Sequence, residues 1–530
     1  MPQSTVSLPA APAPRIVIHG YCELDARAIG DRFAEHGSAW LRDLCLLRGD
    51  FVVVIEDGED VYLVSSSFAG TQYHYAQCGD RVQHGRTVLD VLRKSGRPWR
   101  WNWAALADLA ELEYILEDDS LHPDVHRVAP RSVLHFSGAS LHRFAHSWES
   151  LHPPGRGSAA ATLDAFNEEL SYWAAGQHNV LSISGGLDSR VMLSALLRGG
   201  HRFRAVVMGP KDSYDVRVSS ALSRRFGFDL ERVELDLGAY LRQADAIVEL
   251  TNGTKPAKHW HTYLYSNEAS VDHSNRFFVG MAGEYARTFL LDGGLGVRAL
   301  DRLPLRLVSL VWAHRRRIRG RCFFEGDLPQ LNPELAQQLG GAGASTRHLR
   351  LAQLAAASPG LLAGLDRYYL EHQVRRFGGN GLALYEANTR WIAPFMTRAW
   401  TRAVWQLPRR WKLDSRWHRY ALQQNAPDLL RFPDAANART THVRTRPFYY
   451  IPRSGAKPIP YADYNAWFRS DAILGHVLDH RGVLEEIITR QGIEALVQRQ
   501  RLRGDRVFAI SLILAMGAWL QRVRELPSVR

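Results

Sequence analysis

Short apolar runs separated by turn signals characterise the first part of the chain. The segments RIVIHG, GDFVVVIEDGEDVYLVSSS and RSVLHFSGASLHRF are rich in β-branched and aromatic residues, and Asp57 and Gly58 between two such runs are typical of a hairpin turn. The pattern predicts a strand-rich domain over residues 15–150. Residues 1–14 are rich in Pro, Ala and Ser and lack the charged and apolar regions of a secretory signal, so we expect a flexible extension there.

The pattern changes after HPPGRGSAA at 152–160, a stretch of Pro, Gly and Ser that predicts a linker. Helical patterns then alternate with the apolar strands VLSIS, FRAVVMG, RVEL and NRFFVGMAG. Such alternation predicts a parallel sheet covered by helices, which is the α/β class. From about residue 300 the patterns are mostly helical. We therefore predict a second domain over residues 160–530 with a helical extension.

Composition places the chain among ordinary folded proteins, because 46% of its 530 residues are hydrophobic and 23% are charged. The apolar run VFAISLILAMGAWL at 507–520 is shorter than the roughly 18 to 20 residues of a membrane span and predicts a buried helix. The four cysteines lack the spacing of a zinc site or a disulfide framework. We expect a cytoplasmic protein without a membrane partner.

The net charge of +12 favours anionic partners such as nucleotides and carboxylates. The densest basic run is RRRIRGR at 315–321. Because no nucleic-acid-binding motif accompanies it, we interpret it as a solvated helix face and expect no nucleic-acid partner.

The hexapeptide SGGLDS at 184–189 follows a buried strand pattern and begins a helical one. Two adjacent glycines let the backbone approach an anion, and Ser184 and Ser189 can donate to phosphate oxygens beside the helix N-terminus. The loop lacks the Gly-Lys-Ser/Thr ending that reaches a γ-phosphate, whereas Asp188 suits a Mg²⁺ ion bridged to phosphate. The alternative is a plain strand-to-helix turn in which Asp188 or Ser189 caps the helix.

SGGLDS resembles the pyrophosphatase loop of ATP pyrophosphatases, and its place after a strand-rich domain is similar to that in asparagine synthetases, β-lactam synthetases and lasso peptide cyclases. LRGDFVVVIED at 47–57, FAG at 68–70 and YHY at 73–75 resemble the glutaminase-type domain of this group. The resemblance implies an N-terminal nucleophile-hydrolase-like sandwich of two antiparallel sheets, followed by an ATP-pyrophosphatase domain. It also implies ATP and Mg²⁺ as cofactors, and a carboxylate that attacks the α-phosphate before an amine displaces AMP.

The resemblance further implies a set of site residues. The expected nucleotide contacts are Ser184, Gly185, Gly186, Leu187, Asp188, Ser189, Val206, Val207, Met208, Asp215 and Gly280. Asp188 and Glu284 are the expected magnesium ligands and catalytic carboxylates, and Glu284 is one methylene longer than the usual aspartate. Arg439 and Arg444 are the expected catalytic cations.

The N-terminus departs from the glutamine-dependent members of the group. Those members expose a nucleophilic cysteine after the initiator methionine, whereas this sequence has Pro2 there and its first cysteine is Cys22. We therefore expect no glutamine hydrolysis. Proteolysis that exposes Cys22 is the alternative, but it would delete part of the first predicted strand.

Two further positions differ from the relatives. Met281 stands where asparagine synthetases have a Glu and β-lactam synthetases a Tyr, so the base that deprotonates the amine is not identified. Thr441 stands where the relatives have a lysine, and Arg444 or Arg446 is the candidate substitute. Arg287 is a candidate clamp for phosphate or carboxylate, with a surface arginine as the alternative.

We therefore predict an ATP-dependent carbon–nitrogen ligase whose amine does not come from glutamine. The preferred reaction is intramolecular ring closure on a carboxylate-bearing peptide or small molecule, as in the macrolactam-forming lasso peptide cyclases, with a biosynthetic partner protein as a further candidate partner. The alternatives are an ammonia-dependent asparagine synthetase-like enzyme, a non-catalytic ATP-binding scaffold and a nucleic-acid base-modifying enzyme with a pyrophosphatase loop.

Overall fold

The protein combines antiparallel sheets, one parallel sheet and many helices. The computed structural model describes residues 13–287, 330–340, 361–433 and 461–526, together with part of 343–353. The strands are β1 Arg15–Cys22, β2 Gly49–Asp57, β3 Asp60–Ser65, β4 His74–Cys78, β5 Arg81–Gly85, β6 His126–Arg127, β7 Ser132–Ser137, β8 Ser140–Ala145, β9 His178–Ser182, β10 Phe203–Met208, β11 Leu230–Val233, β12 Asn275–Phe278 and β13 Arg390–Ile392.

Helices connect these strands and form most of the second half of the described chain. They are α1 Ala26–His36, α2 Leu41–Leu44, α3 Val88–Ser95, α4 Trp103–Leu112, α5 Trp148–Leu151, α6 Ala159–Ala174, α7 Leu187–Arg198, α8 Tyr214–Phe226, α9 Leu237–Arg242, α10 Ala244–Leu250, α11 His261–Glu268, α12 Pro333–Leu339, α13 Leu361–Tyr368, α14 Gly379–Glu386, α15 Arg398–Gln406, α16 Arg416–Asn425, α17 Tyr464–Trp467, α18 Asp471–Asp479, α19 Arg481–Leu484, α20 Arg490–Arg503 and α21 Val507–Arg524. A π-helical segment, Tyr369–Gly378, joins α13 to α14.

Two antiparallel sheets make up the strand-rich part, with strand orders β1-β2-β3-β7-β8 and β5-β4-β6. Side chains alternate between the faces of β2, so that Phe51 and Val53 pack in one apolar cluster with α1, while Val52 and Val54 pack in another with Tyr75 of the second sheet. The alternation in the sequence therefore places a core on each face of the first sheet. The strand-rich prediction is confirmed.

The hairpin between β2 and β3 turns at the predicted position. Asp57 pairs with Asp60 across the turn, and Gly58 adopts a φ of 61°. A glycine accepts this left-handed conformation without the steric cost that a Cβ would add.

The parallel sheet has the strand order β11-β10-β9-β12-β13. The chain runs from β9 outward to β10 and β11 on one side, and then returns to β12 and β13 on the other. β9 and β12 are therefore neighbours at the point where the strand order reverses. In open α/β sheets, ligands bind in the crevice outside the carboxyl ends of the strands at such a point.

The last described helix, α21, is long and apolar enough to cross a membrane by length and composition alone, but 72% of its apolar window is buried inside the protein. It contacts α10 and α18, and its side chains belong to the same apolar cluster as those of β9 and β10. A core helix of a soluble protein has these properties, and the predicted buried helix at 507–520 is confirmed.

Candidate functional site

The SGGLDS loop joins β9 to α7 at the carboxyl edge of the parallel sheet. The backbone N–H of Ser184 donates to Ser189 Oγ at 3.1 Å, and that of Gly186 donates to Ser184 Oγ at 3.2 Å. Gly186 is the N-cap residue, so α7 begins without a side-chain cap, and the alternative in which Asp188 or Ser189 caps the helix is wrong. An uncapped helix start that follows a glycine turn is suited to an anion, because its first N–H groups have no side-chain acceptor.

Asp215 holds the loop from the side. It lies at the start of α8, where its Oδ1 accepts the backbone N–H of Gly185 at 2.7 Å, and burial raises the pKa of its carboxyl. The resemblance implied a nucleotide contact for Asp215, and the structure shows it bonded to the backbone of the SGGLDS loop.

Arg190 supports the loop from beneath. Its side chain is buried and donates to the carbonyls of Gly185 and Phe432 at 2.8 Å each, and also to the carbonyl of Pro433. The sequence analysis did not identify Arg190, because an arginine that follows the motif has no pattern that separates it from a surface residue.

Asp188 and Glu284 lie close together, as predicted for two ligands of one ion. Asp188 is in the first turn of α7 after β9, and Glu284 is in the short 3₁₀ turn Gly283–Ala286 that follows β12. Nη2 of Arg287 lies 2.6 Å from Asp188 Oδ2 and 4.0 Å from Glu284 Oε1. The two carboxylates therefore lie near one positively charged group. The expected role of Arg287 as a clamp for phosphate or carboxylate remains a prediction.

Two buried side chains contact the other oxygens of this pair. His418 Nε2 lies 2.8 Å from Asp188 Oδ1, and the hydroxyl of Tyr369 donates to Glu284 Oε2 at 3.1 Å. Burial opposes ionisation of Asp188, but Arg287 and His418 outweigh it and lower the pKa of that carboxyl. Burial and the charge of Asp188 raise the pKa of Glu284. Asp188 is thus the more acidic member of the pair.

The π-helical segment Tyr369–Gly378 carries Tyr369 and continues past Met281. A Cβ at Gly378 would lie 2.8 Å from the sulfur of Met281, so the two residues are in close contact.

The buried Lys255 donates to the carbonyl of Phe377 at 2.9 Å, and burial lowers the pKa of its amine to about 7. π-Helical segments often occur at functional sites. No local signal in the sequence distinguishes Lys255, Tyr369 or His418 from other polar residues in helical patterns.

The strand predicted to contact adenine is the interior strand β10. The carbonyl of Val206 accepts the N–H of Ile183 at 2.9 Å and the hydroxyl of Tyr265 at 2.6 Å, so the protein itself uses both lone pairs of this oxygen. That carbonyl is therefore not suited to adenine. Val207 and Met208 continue the strand toward the edge that carries the loop, and their adenine contacts remain a prediction.

Gly280 lies beside the SGGLDS loop, and its contact with nucleotide remains a prediction. A Cβ at this position would lie 3.6 Å from Asp188 Cβ and 3.4 Å from Met192 Cε. Several positions from the sequence analysis lie outside the described residues, namely Arg439, Thr441, Arg444, Arg446, the basic run 315–321 and Cys322.

The two carboxylates fit a Mg²⁺ ion that arrives with phosphate. Among the residues that the structure describes, no three His, Cys, Asp or Glu side chains are grouped so that they could hold a metal ion. Asp188 and Glu284 supply two converging carboxylates, and Mg²⁺ commonly binds through one or two carboxylates together with substrate phosphates and water. The protein side chains alone do not complete such a site.

Comparison of the chain with protein-family models and with the curated proteins finds no match. The case for function therefore rests on the loop, on the carboxylate pair and on their place at the reversal of the strand order.

The described cysteines are free, and two of them lie in settings that suppress thiolate formation. Burial raises the pKa of Cys22 and of Cys45 to about 12 each. Cys22 is the last residue of β1, which pairs along its length with β2. Cleavage that exposed Cys22 as a new N-terminus would remove this strand from the sheet.

We predict that the protein does not hydrolyse glutamine, because the thiol of Cys22 is protonated at neutral pH and has no free α-amine beside it to act as base. The measurement is glutamate release from glutamine by the full chain, with Cys22→Ala as the comparison. Release above the buffer rate that disappears in Cys22→Ala would refute the prediction.

A second prediction concerns Gly283, which lies beside Asp188. A Cβ at Gly283 would lie 2.6 Å from Cγ and Oδ1 of Asp188, so Gly283→Ala must push this carboxylate away from His418. We expect Mg²⁺·ATP binding to weaken by at least about tenfold, or about 1.4 kcal/mol. Gly475→Ala in α18 is the matched control, since a Cβ there would have no described neighbour within 4 Å, and calorimetry compares the two variants. Equal affinities for both variants would show that the position of Asp188 does not matter.

Proposed function

We propose that the protein is an ATP- and Mg²⁺-dependent carbon–nitrogen ligase that forms an acyl-adenylate. One observation carries this proposal. The SGGLDS loop, which contains Asp188, follows β9, and Glu284 follows the neighbouring strand β12, at the point where the strand order reverses. On this proposal the parallel sheet belongs to an ATP-pyrophosphatase-like domain, and the antiparallel sheets form a glutaminase-like sandwich without glutaminase activity. A reaction that consumes ATP in this way belongs in the cytoplasm.

The loop supplies the groups that a leaving pyrophosphate needs. The uncapped start of α7 offers backbone N–H groups, and Ser184 and Ser189 offer hydroxyls at the same place. No lysine follows the glycines, so the sequence favours cleavage between the α- and β-phosphates over transfer of the γ-phosphate. Asp188 and Glu284 would hold Mg²⁺, which supplies charge neutralisation on the phosphates.

The proposed reaction has two steps. An oxygen of the substrate carboxylate bonds to the α-phosphorus of ATP while the bond to the bridging oxygen breaks, and pyrophosphate leaves with that electron pair. A substrate amine then bonds to the acyl carbon and loses a proton, and AMP leaves. Because glutamine is not the expected amine source, we propose that the amine and the carboxylate belong to one peptide or small molecule that closes into a macrolactam.

The environment of Met281 favours a second candidate, a non-catalytic ATP-binding scaffold. Met281 packs against Gly378 at the position where relatives carry a Glu or Tyr base, so this side chain cannot take a proton from the amine. An ammonia-dependent asparagine synthetase-like enzyme is the third candidate. The products formed from ATP separate these possibilities.

We expect AMP and pyrophosphate to appear in step with the amide product, without ADP. The assay supplies ATP, Mg²⁺ and candidate carboxylates with internal amines or with ammonia, and chromatography resolves the nucleotides. ADP as the sole nucleotide product would exclude the adenylate mechanism. Tight ATP binding without turnover on any carboxylate would favour the scaffold.

We expect Asp188→Asn to weaken Mg²⁺·ATP binding by at least about tenfold, because it keeps the shape of the side chain but removes the charge that a magnesium ion needs. Asp272→Asn is the matched control, since Asp272 is exposed and, within the described part of the chain, its carboxylate accepts hydrogen bonds from Ser274 and Asn275 of its own turn. Calorimetry measures binding, and thermal melting confirms folding. Unchanged affinity in Asp188→Asn would show that the metal is held elsewhere.

A further inference from the structure

Arg287 lies where a cation that bridges Asp188 and Glu284 would lie. One nitrogen of its guanidinium, Nη2, is 2.6 Å from Asp188 Oδ2 and 4.0 Å from Glu284 Oε1. The Arg287 side chain is 24% exposed, against 16% for Asp188 and 31% for Glu284, so the positive charge is partly shielded from water together with the carboxylates. Such shielding strengthens the attraction between the guanidinium and the pair.

The remaining oxygen of each carboxylate is held by another part of the fold. His418 lies at Oδ1 of Asp188, and the hydroxyl of Tyr369 binds Oε2 of Glu284. The other two oxygens, Asp188 Oδ2 and Glu284 Oε1, are the ones near Arg287. Magnesium binds oxygen at 2.0–2.1 Å. An ion bound to these two oxygens would therefore compete with the guanidinium for them.

We propose that Arg287 is a built-in counter-cation of the Asp188–Glu284 pair, and that it makes divalent-cation binding depend on nucleotide. Without nucleotide, a divalent ion has to displace a guanidinium that is paired with the Asp188 carboxylate. A bound triphosphate supplies phosphate oxygens, which guanidinium groups bind well, and it also supplies ligands for the ion. The role of nucleotide in this proposal rests on the proposed function, whereas the role of Arg287 as counter-cation does not.

The test measures binding of Mn²⁺ alone, since Mn²⁺ shares the oxygen preference of Mg²⁺ and free Mn²⁺ is quantified by electron paramagnetic resonance. We expect Arg287→Gln to bind Mn²⁺ at least about tenfold more tightly than the unaltered protein in the absence of nucleotide. Arg287→Lys keeps the positive charge and should resemble the unaltered protein. Adding Asp188→Asn to Arg287→Gln should abolish the gain.

Equal Mn²⁺ affinity of Arg287→Gln and the unaltered protein would overturn the proposal. Tight Mn²⁺ binding by the unaltered protein without nucleotide would also overturn it, and that measurement needs no variant to fold. In the unaltered protein, ATP should increase Mn²⁺ binding. If ATP itself does not bind, the proposed function fails, while the comparison of Arg287→Gln with Arg287→Lys still decides the role of Arg287.

Discussion

The negative charge of one partly buried carboxylate, Asp188, has to be balanced by neighbouring groups, and the elements around the site depend on this. Oδ2 of Asp188 lies 2.6 Å from Arg287, which follows the turn after β12, and Oδ1 lies 2.8 Å from His418 of α16. An unpaired charge at such a site costs several kcal/mol, so each of these elements must be in place for the others to be stable. The same requirement explains Gly283, because any Cβ there would occupy the position of the carboxylate.

The sequence predicted the elements whose signals are local. Alternating apolar positions and the Asp57-Gly58 turn define the hairpin, and the pattern of strand, SGGLDS and helix defines β9, the loop and α7. The resemblance also implied that Asp188 and Glu284 hold one ion, whereas the adjacency of the two parallel strands that precede them is known only from the structure. Each of these inferences needs only residues close together in the chain or a known motif.

The residues that complete the site could not be found in this way. His418 reaches Asp188 from α16, and Tyr369 reaches Glu284 from the π-helical segment. A single His or Tyr within a helical pattern is compatible with a surface, a core or a site. Only the tertiary fold decides among these. The carbonyl of Val206 is unsuited to the expected adenine contact for a similar reason, because hydrogen bonds from the residue after β9 and from α11 already use it.

Loops of the strand-rich part also contact the elements around the site. Gln72 donates to Asn380 of α14 at 2.6 Å, and Asp118 pairs with Arg375 of the π-helical segment at 2.7 Å. The second contact joins the strand-rich part to the segment that carries Tyr369. The strand-rich part therefore helps to fix the position of Tyr369, which contacts Glu284.

The internal hydrogen bonds of the SGGLDS loop have a thermodynamic consequence. The N–H groups of Ser184, Gly185 and Gly186 already donate to side chains, so an anion that takes these donors exchanges existing bonds for new ones. Such an exchange releases little net heat. The loop is also ordered before any ligand arrives, which lowers the entropy lost on binding. An anion at this loop should then gain most of its new hydrogen bonds from the first N–H groups of α7, which have no side-chain cap, and little heat from those of Ser184, Gly185 and Gly186.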